Sequence, residues 1–308
     1  MHKTAFTCMN TTIRTFDLPE ESSRKTLYLF KKAESTLSRF DESSELSQLN
    51  KTIRIPFVCS SILFEAIRIA DFYYTGTKGI FNPYLGGTLI DLGYDRSFEE
   101  IEACPDSDEQ LPSYKPDSRP LTIDAGMKSV TLKQSIQIDL GGIAKGWTAQ
   151  CIAELLQDEG IRTGAISAGG DICVWGLEHR QHFVKIDHPL RPGETIASIA
   201  LQRDAGIATS SIVKRHWNTI SGKRRHHIID PRTGMPSNSN LIQTSVIAPT
   251  LTEAEALAKC LLILGWEEGL KKFEGNKNIA FIGVTTDEHC LQGGNINLYS
   301  KEGVKQYV

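Results

Sequence analysis

The sequence predicts an α+β protein, with mixed sheets and packed helices in a single compact chain spanning residues 1–308. Three observations carry that expectation. Apolar residues switch irregularly between alternating and helical spacing, so strands and helices do not follow a regular βα rhythm. Nothing recurs at a period of roughly 20–50 residues, which argues against solenoids and propellers. Hydrophobic content of 40% with 23% charged residues describes a soluble globular chain with a sizeable core, long enough for one large domain or two ordinary ones.

Taken in order, Met1–Asn10 lacks the apolar run of a signal peptide, and no stretch approaches a membrane span. Cys8 has no apolar run before it, as a lipoprotein anchor would need. A cytoplasmic protein without membrane insertion is expected. Thr4–Phe16 alternates as a first strand, with Met9-Asn10-Thr11-Thr12 in its middle. Glu20–Leu37 carries Leu27, Phe30, Ala33 and Leu37 at helical spacing, Ser43–Asn50 reads as a short capped helical turn, and Ser60–Tyr74 as a second amphipathic helix. The stretch between Ile101 and Pro120, rich in Asp, Pro and Ser, reads as an insertion loop.

Gln137–Gly176 then reads as strand, glycine turn, helix, strand, second glycine turn, strand. Ile136 and Ile138 end a strand-like run with Asp139 at its tip, before Gly141-Gly142. A helix follows from Ile143 through Trp147, Ile152, Leu155 and Leu156, and Gly160 stops it. Ala165–Ala168 and Ile172–Trp175 are the strands that follow. A helix that starts at a glycine pair presents backbone N–H groups and a positive dipole end, which suit an anion. Lys145 adds a mobile positive charge. Asp139 can accept from a ring N–H or hold a cation. The alternative is a βαβ unit whose glycines only pack helix on strand.

Phe183–Asp187, Ile196–Leu201, Gln243–Ala248 and Ile279–Thr285 read as further strands. Thr250–Leu264 reads as a helix, with Thr252 and the acidic Glu253 and Glu255 at its start, and the strand Ile279–Thr285 is followed by an acidic-to-polar tail. Asp-Pro and Thr-Gly pairs mark a turn within His227–Gly234. His226 and His227 are adjacent, and neighbours on a strand point to opposite faces, so they do not make a two-histidine metal pocket. The seven cysteines are scattered with no CxxC pair; Cys151, Cys173 and Cys260 sit at apolar positions and read as reduced, buried thiols. A net charge of −3 gives no reason to expect nucleic acid or an acidic membrane as partner. Neither G-x-G-x-x-G, Walker A, G-x-S-x-G nor H-E-x-x-H occurs. The residues alone reach as far as a nucleotide-type anion site.

Seven segments, in order, resemble the motifs of the ApbE family of FAD:protein FMN transferases. They are Met9-Asn10-Thr11-Thr12, Ser38-Arg39-Phe40 through Asn50, Phe81-Asn82-Pro83, Asp139-Leu140-Gly141-Gly142-Ile143-Ala144-Lys145-Gly146, Gly169-Gly170-Asp171-Ile172, Ala208-Thr209-Ser210 and His227–Gly234. The resemblance implies the ApbE-like flavin transferase fold and an enzyme that breaks the pyrophosphate of its substrate FAD with Mg²⁺. FMN then passes to a Thr or Ser hydroxyl of an acceptor flavoprotein and AMP leaves; some members hydrolyse FAD instead. By position, Met9, Phe40, Ile80, Phe81, Asn82, Asp139, Lys145 and Ile229 would line the flavin and its phosphates. Lys145 and His227 would be catalytic, His227 touching the pyrophosphate or handling the acceptor's proton.

The metal would take Gly142, Glu255 and Ala258. Here the chain departs from the family pattern A-D-A-L-x-T, having Ala254-Glu255-Ala256-Leu257-Ala258-Lys259. Lys259 stands where the family has threonine. It has no lone pair while charged, and at four residues from Glu255 it is placed for a helical ion pair that neutralises the site without metal. Asn10, Asn82, Gln150 and Ser211 are further departures, and Phe40 keeps a ring without the usual hydroxyl. Two functions follow: a flavin transferase with a reshaped metal site, or an FAD-binding homologue without Mg²⁺-dependent transfer.

Overall fold

The computed structural model describes residues 3–101, 103–104, 106, 119–134, 136–178 and 181–307. Most of the loop expected over 101–120 lies outside these residues; within it, Ala103–Cys104 pairs in parallel with His216–Thr219. The fold divides into two compact units. The first is Met1–Phe30, Lys145–Lys214 and Asn238–Val308, and the second Lys31–Ala144 with Arg215–Ser237.

The first unit is built on an eight-stranded sheet whose spatial order follows the chain: Lys3–Cys8, Thr11–Phe16, Gly164–Ala168, Asp171–Trp175, Ala205–Ser211, Leu241–Ala248, Ala280–Thr285 and Cys290–Gly294. Every neighbouring pair is antiparallel. The central strands read as unbroken runs of small and apolar residues because both their faces are covered. Each residue of Gly164–Ala168, Asp171–Trp175 and Leu241–Ala248 is buried. The edge strand Lys3–Cys8 alternates exposed and half-buried instead. Ile172, Val174, Ile199, Leu201, Ile207 and Tyr299 form part of the core of this unit. The Leu251–Leu264 helix lies so close to the sheet that a Cβ on Gly206 would stand 2.2 Å from the Leu251 nitrogen.

Four expectations change here. Thr4–Phe16 is two strands, because Met9 (φ 52°) and Asn10 (φ 53°) make a two-residue turn with both residues left-handed. Asparagine tolerates that conformation nearly as glycine does. The Leu251–Leu264 helix is capped by Thr250, whose hydroxyl accepts the Glu253 N–H at 3.2 Å, and Thr252 lies inside the helix. The tail is ordered, as a strand Cys290–Gly294, a short helix Ile296–Tyr299 and a strand Val304–Gln306. Cys173 and Cys260 are buried as expected, while Cys151 is exposed; none of the seven cysteines is in a disulfide.

The second unit carries the helices Glu45–Lys51 and Ser61–Gly76, capped by Ser44 and Ser60, a one-turn helix Gly86–Asp91, and small sheets. Leu85, Leu89, Leu92, Tyr94, Trp217 and Ile229 pack together in its core. The run ending at Ile138 is not a strand. Asn50 occupies both backbone groups of Ile138, its amide oxygen taking the N–H at 2.8 Å and its amide nitrogen giving to the carbonyl at 2.9 Å. A side chain thus replaces the partner strand, and among the described residues of the run Gln137 alone bridges, to Leu85. The βαβ alternative fails on this and on the antiparallel pairing of Gly164–Ala168 with Asp171–Trp175. No helix among the described residues is long and apolar enough to cross a membrane.

Candidate functional site

In the first unit, charged side chains gather at the start of the Ala144–Asp158 helix. Glu255, 1% exposed, reaches it from the Leu251–Leu264 helix. One carboxylate oxygen accepts the Gly146 N–H at 2.8 Å; the other lies 3.2 Å from Lys145 Nζ and 3.5 Å from Lys259 Nζ. Lys259 also donates to the Glu255 carbonyl at 3.4 Å. The expected Glu255–Lys259 helical pair therefore forms, and Lys145 joins it. The positive helix end, expected to be open to a phosphate, holds an internal anion at Gly146. Gly146 permits this approach, since a Cβ there would meet Glu255 Oε2 at 2.7 Å.

Asp171 is a member of this cluster that the sequence pattern did not single out, although its Gly-Gly-Asp motif was visible. It is buried, and its carboxylate accepts the Thr209 N–H at 2.8 Å. Burial first, then the neighbouring Glu255, push its pKa up to about 6, against the pull of Lys145 and Lys259. Burial acts to raise Glu255 as well, but there Lys145, Lys259 and the Gly146 N–H outweigh it and hold the carboxyl below its usual range. Burial lowers the pKa of Lys259, and Lys145 lowers it further, while Glu255 and Asp171 act the other way. Met9 is half-buried in its turn in this same unit.

In the second unit, Asp139 sits in the turn ahead of the helix. Its carboxylate accepts from Arg39 Nε at 2.5 Å and from the Gly141 N–H at 2.6 Å. Asp139 is thus paired internally with Arg39. Arg39 also donates to the Tyr94 carbonyl at 2.7 Å and covers the Phe40 ring at 4.1 Å from its centroid. Arg39 lay unremarked inside a recognisable motif. Phe40 is 39% exposed and tilted on Tyr94, with centroids 5.6 Å apart. Ile80 is half-buried, whereas Phe81 is buried, edge-on to Tyr73. The Asn82 side chain accepts the Tyr84 N–H at 2.9 Å, a local turn that either Asn or Asp supports. Ile229 is a core residue.

The two histidines part company, as adjacent positions should. His226 is buried, with Nε2 3.1 Å from the Ser237 carbonyl and Nδ1 accepting the Ile228 N–H. His227 is half-buried, with Nδ1 3.3 Å from the Arg215 carbonyl. The tautomer that donates there leaves the lone pair on Nε2.

Mg²⁺ demands near-octahedral oxygen donors at about 2.0–2.1 Å. The residues of the first unit do not fit it. Both Glu255 oxygens are occupied, and an ammonium stands 3.5 Å from one of them. The Ala258 carbonyl already accepts the Thr244 hydroxyl at 2.7 Å. Gly142 is half-buried in the 141–143 turn of the second unit. Among the described residues no group of three or more His, Cys, Asp or Glu side chains could hold a metal ion.

Comparison with known proteins matches this pattern of motifs. The chain is 32% identical over 270 residues to an FAD:protein FMN transferase of Treponema pallidum, covering 80% of this chain and 73% of that one. A Vibrio cholerae protein of the same name is 29% identical over 272 residues, covering 84% and 78%. Among solved structures, the ApbE protein of Thermotoga maritima superposes with a TM-score of 0.84 at 22% identity, over 97% of this chain and 99% of that one. The flavin transferase ApbE of Vibrio cholerae gives 0.73 at 23% identity, over 97% of each. These two share the fold. The family's own sequence profile matches residues 7–282, and the chain belongs to the ApbE family.

Proposed function

We propose that this chain is an FAD:protein FMN transferase. In the reaction an acceptor Thr or Ser hydroxyl oxygen forms a bond to the FMN phosphorus, and the bond from that phosphorus to the bridging oxygen breaks. AMP leaves with the bridging oxygen, and the hydroxyl proton is released. Such a transfer asks for positioning and for neutralisation of phosphate charge more than for covalent help. The observation that carries the reading is Lys145, whose ammonium meets a buried carboxylate at a helix start. Its side chain is 17% exposed.

In this reading Phe40, backed by Arg39, offers a face to the isoalloxazine, and Met9, Ile80, Phe81, Asn82, Asp139 and Ile229 line the flavin and its phosphates. Lys145 stabilises charge on the pyrophosphate. His227 accepts the hydroxyl proton at Nε2, which the Nδ1 contact to the Arg215 carbonyl supports. Gly142, Glu255 and Ala258, the positions at which the resemblance implies Mg²⁺, take no step here, because their surroundings do not suit it. The whole chain, 1–308, works as one transferase domain in the cytoplasm, with FAD and an acceptor flavoprotein as partners and neither nucleic acid nor membrane. The seven cysteines, none of them in a disulfide, support a reducing compartment.

The test is incubation of the protein with FAD and Thr- or Ser-bearing acceptor peptides, following AMP by chromatography and covalent flavin by mass spectrometry. AMP together with flavinylated peptide is the expected result. Binding of FAD with neither product favours the second reading, an FAD-binding homologue without transfer, which the Glu255–Lys259 pairing favours. AMP and free FMN with no labelled peptide indicates hydrolysis.

A further inference from the structure

Four charged groups of the first unit make a closed set. Lys145 and Lys259 supply two positive charges, and Glu255 and Asp171 two negative ones. Each carboxylate is buried and also takes a backbone N–H, from Gly146 and Thr209 respectively. The set is formally neutral. A divalent cation entering it would bring two uncompensated charges into a buried site and would have to displace the Lys259 ammonium from 3.5 Å. Lys259 also lies 3.4 Å from the Glu255 carbonyl, so its ammonium is held by two oxygens of one residue. An ammonium so anchored supplies positive charge at a fixed place without needing to be bound from solution.

We infer that Lys259 is a built-in cation that takes the place of a divalent metal, so that this protein handles the FAD pyrophosphate without Mg²⁺. The inference concerns the site of the transferase reading and rests on that reading for its FAD readout, while its metal readout is independent of flavin. Two consequences separate it from a purely structural ion pair. The wild-type protein ignores divalent ions, and removing the ammonium together with restoring a shorter carboxylate opens a metal site.

The experiment has two arms. In the first, Mn²⁺ alone, as a spectroscopic stand-in for Mg²⁺, is titrated into the purified protein and free Mn²⁺ is read by electron paramagnetic resonance. The wild type should leave Mn²⁺ free at concentrations up to about millimolar, whereas a Glu255→Asp, Lys259→Thr double variant should bind it at least about tenfold more tightly. In the second, FAD is titrated by flavin fluorescence in Mg²⁺ and in EDTA; the wild-type Kd should be the same in both. One Mn²⁺ bound per wild-type chain overturns the inference, as does an FAD affinity about tenfold weaker in EDTA. A folded double variant that gains no Mn²⁺ also overturns it, since the lysine would then not be what excludes the ion. The wild-type arms decide the matter if the variant does not fold. If FAD binds in neither buffer, the transferase reading falls, and the Mn²⁺ arm still tests the cation.

Discussion

Glu255 is the residue on which the site's charges balance, and its removal tests that balance directly. At 1% exposure it has no water to replace its partners, so Glu255→Ala leaves Lys145 and Lys259 facing each other in a buried site. A loss of about 3–5 kcal/mol is expected, read from urea unfolding at pH 7. Adding Lys259→Met should recover part of it, because one of the two excess positive charges is then gone. Gly146→Ala attacks the same contact sterically: the new Cβ would stand 2.7 Å from Glu255 Oε2 and 3.2 Å from the Leu251 carbonyl. That should cost about 1–3 kcal/mol, and a thermal midpoint unchanged from wild type would contradict it. How much of this was legible in the sequence varies with separation along the chain. The Glu255–Lys259 pair follows from four-residue spacing, and the helix start from its glycines. The contacts of Lys145 and Gly146 with Glu255 span 110 and 109 residues, and no local pattern encodes them. Arg39 and Asp139, 100 residues apart, were hidden for the same reason, although each stood in a visible motif.

Helices were the elements the sequence disclosed best, because their apolar stripes and serine or threonine caps are local signals. Glu20–Leu37 appears with the expected bounds. Strands were harder to delimit where a side chain or an unusual turn intervened. The Met9-Asn10 turn contains no glycine, so an alternating pattern ran straight through it; at Ile138 the Asn50 amide imitates a strand, which no periodicity can announce. Both misreadings give tests. Asn10→Val places a β-branched residue at φ 53° and should destabilise the hairpin by about 1–2 kcal/mol, whereas Asn10→Gly should be neutral or better. Amide exchange across Lys3–Phe16 would show the difference, with faster exchange in the valine variant only. Thr250→Ala removes the hydroxyl that caps the Leu251–Leu264 helix and should cost about 1 kcal/mol in chemical unfolding. This helix carries Glu255 and Lys259, so that loss should come with weaker FAD binding under the transferase reading.

At the scale of the whole molecule, each unit holds a buried group whose shift bears on stability between pH 4 and 6.5, and the two shifts have opposite signs. In the second unit, burial lowers the His226 pKa from 6.5 to about 4, while the Ser237 carbonyl opposes it. The unfolded chain then binds more protons between those values, so stability is lost as pH falls from 6.5 towards 4, by up to about 3 kcal/mol. The neutral ring explains the direction: its Nδ1 accepts the Ile228 N–H, and a proton there would destroy that bond. In the first unit, Asp171 is raised from 3.8 to about 6, so the folded chain binds the extra proton. Its contribution is fully present below 3.8 and is lost as pH rises through 6. Global unfolding would show these effects largely cancelling between pH 4 and 6, a flat profile that conceals both. Native-state amide exchange, corrected for intrinsic rates, separates them by location. On going from pH 7 to pH 5, protection should fall around Arg224–His226 and rise around Asp171–Trp175. His226→Gln should abolish the first change and Asp171→Asn the second, each leaving the other in place. Protection that moves in the same direction in both strands would show that these two groups do not govern acid stability.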